Sequence, residues 1–284
     1  MQTKLSIETI EFHGIEALRL NGPGGSIAVI SKLGGQVLSW ITPDGRERLF
    51  LSDWAVFDGS VAVRGGIPVC FPQFSDVGDL PKHGFLRTRE WTIGDQRCGD
   101  DFALVSMQFT DDEETRELWP FPFRAEITLM LEADRIDVEF CVENTGGELF
   151  EFTGALHTYL RLVQVEDAAL EGLYGCDYRD AANEDQIIRE SGTELRIEAE
   201  TDRVYHDVKR PLSLLAGNHS LTIQQQSFPD VVVWNPWVER CAQLTDMPPD
   251  DWRQMLCIEA AAVDKPVSVA PGEEWYGRQT LVVA

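Results

Sequence analysis

The chain has 284 residues, 43% of them hydrophobic, with a formal net charge of −24. That length and apolar fraction suffice for one large β or α/β domain with a sizeable core. The acidity repels phosphodiester backbones and anionic membrane surfaces, which argues against nucleic acid as a partner, and no apolar run reaches the roughly eighteen residues a membrane helix needs.

The first segment, "MQTKLSIETIEFHGIEALRL", alternates polar and apolar residues and lacks an apolar h-region, so no secretory signal is expected in it. Strand signals follow along the chain: "SIAVISKLGG", "FALVSMQFT", "AEITLMLEA", "RIDVEFCVEN", "LTIQQQS", "DVVVWN", "QMLCIEAAAV" and "RQTLVVA". They are short and rich in β-branched residues, and turn sequences such as "NGPGGS", "TPDG", "NTGG" and "APGEE" bound most of them. Helical periodicity is scarce; "DDEETREL" and "DWRQM" are the best candidates, both short. With no tandem repeat or low-complexity linker, the pattern predicts a single all-β domain over 1–284, a large antiparallel β-sandwich with few short helices. The cysteines Cys70, Cys98, Cys141, Cys176, Cys241 and Cys257 form no CxxC pair, and several lie in apolar runs. They read as reduced thiols of a cytoplasmic protein, and their spacing argues against structural zinc.

Two predicted strands carry chemistry. In "LFEFTGALHTYLRL" the period of two puts Phe150, Phe152, Gly154, Leu156 and Leu160 on one face, and Glu151, Thr153, Ala155, His157, Tyr159 and Arg161 on the other. The first face is core; the second could line a cavity. His157 is either a satisfied structural histidine or a general acid or base, and the surrounding acidity favours its protonated form. In "MLCIEAAAV", Glu259 is the sole charge. It sits either on the wet face of an edge strand, or in a central strand as a buried general base with raised proton affinity.

The segment "RGGIPVCFPQFSDVGDLPKHGFLRTREW" has neither period. Arg64, Lys82 and Arg87 flank its Gly65-Gly66 and His83-Gly84 steps, where glycine permits unusual dihedrals and close backbone approach. Against so acidic a chain, three clustered cations read as an anion pocket, the alternative being surface salt bridges of little worth. His83 could donate to a substrate oxygen or bond nearby backbone. Asp202, in "ETDRVY", is a solvated turn aspartate or a ligand for sugar hydroxyls, and Trp234 and Trp237 are core or sugar-stacking aromatics. There is no GxxxxGK[ST], GxGxxG after a strand, GxSxG or HExxH, so nucleotide, serine-hydrolase and zincin chemistry lack support.

Taken in order, "VRGGIPVCFPQF", "LPKHGFLRTREW", "GALHTYL", "ETDRVY", "VVVWNPW" and "MLCIEAA" resemble the hexose-6-phosphate mutarotases (glucose-6-phosphate 1-epimerase-like proteins) of the aldose 1-epimerase superfamily. The resemblance runs from "KLGGQVLSW" to the C-terminal strand. It implies a β-supersandwich and an enzyme without metal or cofactor that interconverts the α and β anomers of a hexose 6-phosphate. The alternatives are an epimerase of free aldoses and a non-catalytic sugar-phosphate-binding protein on the same fold. Carried over by motif, His157 and Glu259 would be the catalytic pair, Arg64 and Arg87 the phosphate clamp, Asp202 a sugar-hydroxyl ligand and His83 a substrate-side residue. Lys82 stands where serine or alanine is more usual and would add charge to the clamp. Gln73 and Ser75 also depart from the pattern and are expected to change the pocket wall. The expected partner is a small sugar phosphate, and the expected state a monomer.

Overall fold

The computed structural model describes residues 5–217 and 219–283. All the predicted strands form, and every pairing between named strands is antiparallel. Among the described residues there are two short α-helices, Glu113–Leu118 and Trp237–Cys241. The first lies in "DDEETREL", where Asp112 and Thr115 make a reciprocal capping box. "DWRQM" closes instead into a 3₁₀ turn, Asp251–Gln254.

The described residues form three sheets. A four-stranded meander runs from Ser6–Phe12 to Val37–Ile41. A nine-stranded sheet has Glu274–Val283, Arg135–Asn144 and Phe123–Leu131 as consecutive neighbours near its middle. An eight-stranded sheet orders Thr201–Tyr205, Asp230–Asn235, Met255–Val269 and Phe150–Leu156 side by side, with Tyr159–Arg161 also pairing Met255–Val269.

Period-two patterning explains the layering. In Phe123–Leu131, Phe123, Ala125, Ile127, Leu129 and Leu131 are buried, while the residues between them reach solvent. Each of the larger ones, Phe123, Ile127, Leu129 and Leu131, contributes roughly 1.5–3 kcal/mol when fully buried. Phe71 packs at 5.1–5.7 Å between ring centroids against Trp119, Phe123, Phe140 and Phe152, joining loop and both large sheets in one core. A polar tie crosses the same core: Gln279 Nε2 donates to the Ile258 carbonyl at 2.9 Å and Thr158 Oγ1 donates to Gln279 Oε1.

Met255–Val269 is central: residues Met255 through Ala262 are buried on both faces. That settles the alternative left open for Glu259, which lies at 1% exposure in a middle strand and not on a wet edge.

Candidate active site

The site grows from the outer face of the eight-stranded sheet. Leu156 pairs with Ala260 and Tyr159 with Cys257. The same register continued through the break between these strands sets His157 opposite Glu259, and the Ile258 N–H donates to the Thr158 carbonyl at 3.1 Å. On the other flank Glu259 pairs with Val232, and Trp234 pairs with both Cys257 and Asp202. Alternation therefore carries His157, Tyr159, Glu259, Val232, Trp234 and Asp202 to one side. Leu156, Ile258, Val231 and Val233 go to the other, into the main core.

The irregular segment after Arg64 folds over this face. Gly65 and Gly66 have φ of 119° and 62°, and a Cβ there would come within 2.4 Å of the Phe50 carbonyl oxygen and 2.1 Å of that of Val37. The close approach expected of these glycines is thus made to neighbouring backbone. His83 also adopts a positive φ, 63°, fixed by Gly84, where a Cβ would stand 1.9 Å from the Phe71 carbonyl oxygen. Gln73 is buried. It accepts from the Leu80 N–H at 3.1 Å and donates to the Ser75 and Leu80 carbonyls. This corrects the expectation for Gln73: it staples the loop from behind and does not line the cavity, whereas Ser75 does.

Loop and sheet together enclose a cavity of about 260 Å³. Every residue singled out for the site (Arg64, Lys82, His83, Arg87, His157, Asp202 and Glu259) lines it. His157 Nδ1 stands 3.3 Å from Glu259 Oε1, too poorly aligned for a hydrogen bond. Glu259 Oε2 is buried without a partner. An unsatisfied buried carboxylate oxygen beside an unsatisfied imidazole nitrogen costs stability, and such costs are kept where chemistry needs them.

Burial, and then the charge of Asp202, pushes the Glu259 carboxyl well above the ordinary carboxylate range, with Arg87 opposing. Burial followed by the fields of His83, Arg87 and Arg64 pushes His157 well below the usual histidine value. The expectation of a protonated His157 is therefore corrected. The chain is acidic as a whole, but this imidazole is buried away from water, and Arg87 and Arg64 add positive charge near it. Each shift favours the neutral form of its group: the carboxyl holds a proton more tightly, and the imidazole less tightly, than either would in water. His83, lowered to about 2 by burial and by Arg87, Lys82 and Arg64, is neutral too. Its Nδ1 accepts from the Ser75 N–H at 3.2 Å, which leaves Nε2 to carry the ring proton as a donor. Asp202 is raised by burial, against the fields of Arg179, Arg240 and Lys82. The Cys257 thiol, fully buried, brings a third donor atom within 4.8 Å of those of His157 and Glu259. Burial raises its pKa well up, so it stands protonated, and Arg64 and Arg87 oppose a cation there.

The aldose 1-epimerase family model matches residues 16–281. The chain belongs to the aldose 1-epimerase family. It is 36% identical over 278 residues to a protein of Cenchrus ciliaris provisionally named glucose-6-phosphate 1-epimerase, covering 94% of this chain and 84% of that protein. An Escherichia coli K12 protein with the same provisional name is 31% identical over 258 residues, covering 88% of this chain and 85% of that one. A crystal structure of a provisionally named mutarotase from Salmonella typhimurium superposes with a TM-score of 0.91 at 25% identity, covering 98% of this chain and 93% of that one.

For an aldose 1-epimerase cavity, sequence reading missed three groups. Arg240, on the short Trp237–Cys241 helix, lines the cavity, with Glu200 3.8 Å from its Nε. It stands in no pattern that would have marked it. Asp246 pairs with Arg64: its Oδ2 is 3.1 Å from Nε and 3.0 Å from Nη2. Tyr159 accepts from Arg64 Nη1 at 2.9 Å. Tyr159 was placed on the correct face by the period of two, but nothing local ties it to Arg64.

Proposed function

We propose that this epimerase interconverts the α and β anomers of a hexose 6-phosphate, glucose 6-phosphate being the nearest candidate by its relatives' names. The observation that carries the reading is one cavity holding both the His157–Glu259 pair and a set of cations, Arg64, Lys82, Arg87 and Arg240, in a chain of net charge −24. An anion is drawn into such a pocket only if local charge overrides the global field. Arg87 spends one N–H on the Lys82 carbonyl at 2.7 Å, leaving the rest of its fork for phosphate oxygens.

The protonation states support a relay that needs no imidazolium at rest. Glu259 Oε2, without a partner, takes the proton of the C1 hydroxyl. With the sugar seated, a small turn of the imidazole aligns Nδ1 with the carboxyl 3.3 Å away; the proton on Oε1 then passes to Nδ1, and the proton on His157 Nε2 passes to the ring oxygen. The C1–O5 bond breaks as the C1=O1 bond forms, giving the open-chain aldehyde and a C5 hydroxyl. Rotation about C1–C2 presents the other carbonyl face, and the reverse transfers close the ring. The pair begins and ends with one carboxyl proton and one imidazole proton. Each positioned donor or acceptor supplies roughly 10²–10⁴-fold, enough for a reaction that already proceeds in water. His83 Nε2–H and Asp202 would hold sugar oxygens, and the apolar face of Trp234 the ring.

Buried free thiols at Cys70, Cys241 and Cys257 support a reducing, cytoplasmic setting. The test is anomer exchange at equilibrium, measured by magnetization-transfer NMR on glucose 6-phosphate and on glucose. The reading expects much faster exchange of the phosphosugar; equal rates on both would point to a free-aldose epimerase, and no exchange of either to a binding protein.

A further inference from the structure

We infer that Tyr159 is a positioning residue that ties the anion-binding arginine to the catalytic histidine. The inference rests on the reading above for what Arg64 and His157 do, and goes beyond it in saying what holds them together.

The Tyr159 ring lies parallel to His157, centroids 4.7 Å apart and planes 8° apart. Its hydroxyl accepts from Arg64 Nη1 at 2.9 Å. It is itself fixed on all sides. It is 2% exposed, its N–H donates to the Gly66 carbonyl, its carbonyl accepts from the Phe50 N–H, and Trp234 meets it edge-on at 6.2 Å. Tyr159 does not line the cavity, so it acts through its two neighbours.

The state of Arg64 gives this contact its weight. The Nε–Nη2 edge, the fork that would suit a phosphate, is taken by Asp246. Asp246 is itself anchored, its carbonyl accepting from Ser52 Oγ at 2.7 Å. What remains for an anion is the outer Nη1–Nη2 end, and the direction in which that end points is set by the Tyr159 hydroxyl. Asp246, Arg64, Tyr159 and His157 thus form one continuous chain of contacts.

Tyr159→Phe keeps the stacking ring and removes the hydroxyl. For glucose 6-phosphate, KM should rise roughly tenfold, the order of one hydrogen bond to a charged group, with kcat within about twofold; free glucose exchange should not change. Tyr159→Leu removes the ring and should lower kcat on both sugars by roughly tenfold or more, the scale on which a displaced catalytic group loses rate. Tyr159→Phe placed in an Arg64→Ala background should add nothing to KM, because the hydroxyl acts only through Arg64. An unchanged KM in Tyr159→Phe, equal losses on the two sugars, or additive effects in the double variant would overturn the inference. Failure of the phosphate reading is seen separately, as a wild-type protein that exchanges both sugars equally; the kcat loss in Tyr159→Leu still tests the stacking contact in that case.

Discussion

Arg87→Ala separates specificity from chemistry. Arg87 is half-buried at the cavity wall, with one Nη2 hydrogen on the Lys82 carbonyl. Asp246 pairs with Arg64, whereas the hydrogen bond Arg87 makes from its own side chain goes to that carbonyl. A hydrogen bond to a charged group is worth about 1.5–3 kcal/mol, so loss of the side chain should cut kcat/KM for glucose 6-phosphate roughly 10- to 150-fold. The loss should fall mainly on KM. Free glucose makes no such contact, and its slow exchange should stay within about threefold. Magnetization-transfer NMR on both sugars gives the two ratios, and a melting curve controls for the loop, which loses one hydrogen bond worth about 1 kcal/mol or some 2–4 °C. Equal fold-losses on the two sugars, with the fold intact, would refute Arg87 as a phosphate ligand.

Other outcomes follow from the charge states. His83→Ala should lower kcat roughly tenfold or more on both sugars, through loss of a neutral donor. Because His83 is held at about 2, it should contribute no limb to the pH–rate profile between 5 and 8 as measured in steps across that range. For the free enzyme, His157 takes a second proton only below its ordinary value and Glu259 gives up its own only well above the carboxylate range. Once ionisation of the sugar phosphate is allowed for, the kcat/KM profile should show no acid limb from His157 at or above its ordinary value of 6.5, and an acid limb centred above pH 6.5 would contradict this. Glu259→Gln should melt a few degrees higher than wild type at pH 7. Its folded pKa is raised above the unfolded one, so the penalty is absent below about pH 4, sets in as pH rises past 4.5 and grows until the folded group ionises. Differential scanning calorimetry at pH 4 and pH 7 checks both the gain and its disappearance.

Local pattern carried the strands far, because alternation is a property of neighbours in sequence: Phe123–Leu131 reads buried and exposed by turns, as its letters do. The lone charge in "MLCIEAAAV" marked Glu259, but whether its strand was edge or centre depended on partners from Asp230–Asn235 and Phe150–Leu156, which no local signal orders. The protonation of His157 was misread for the same reason. Net charge is a sum over the chain, whereas His157 answers first to its own burial and then to Arg87 and Arg64, brought over the sheet by a loop without period. Gln73 looked like a wall residue because it departs from the motif; its side chain turns backward to hold Leu80 and Ser75. Arg240 and Asp246 belong to a short helix and the turn after it, where no repeat marks one polar residue above the next.

The central claim is that Glu259 and His157 move the protons of a phosphosugar. The most direct measurement is the exchange rate between the anomers of glucose 6-phosphate with Glu259→Gln, followed by magnetization transfer at saturating substrate. The amide is close in shape and cannot take the C1 hydroxyl proton, so exchange should fall at least about 10²-fold, with binding of the phosphosugar retained. Undiminished exchange in that variant would contradict the account.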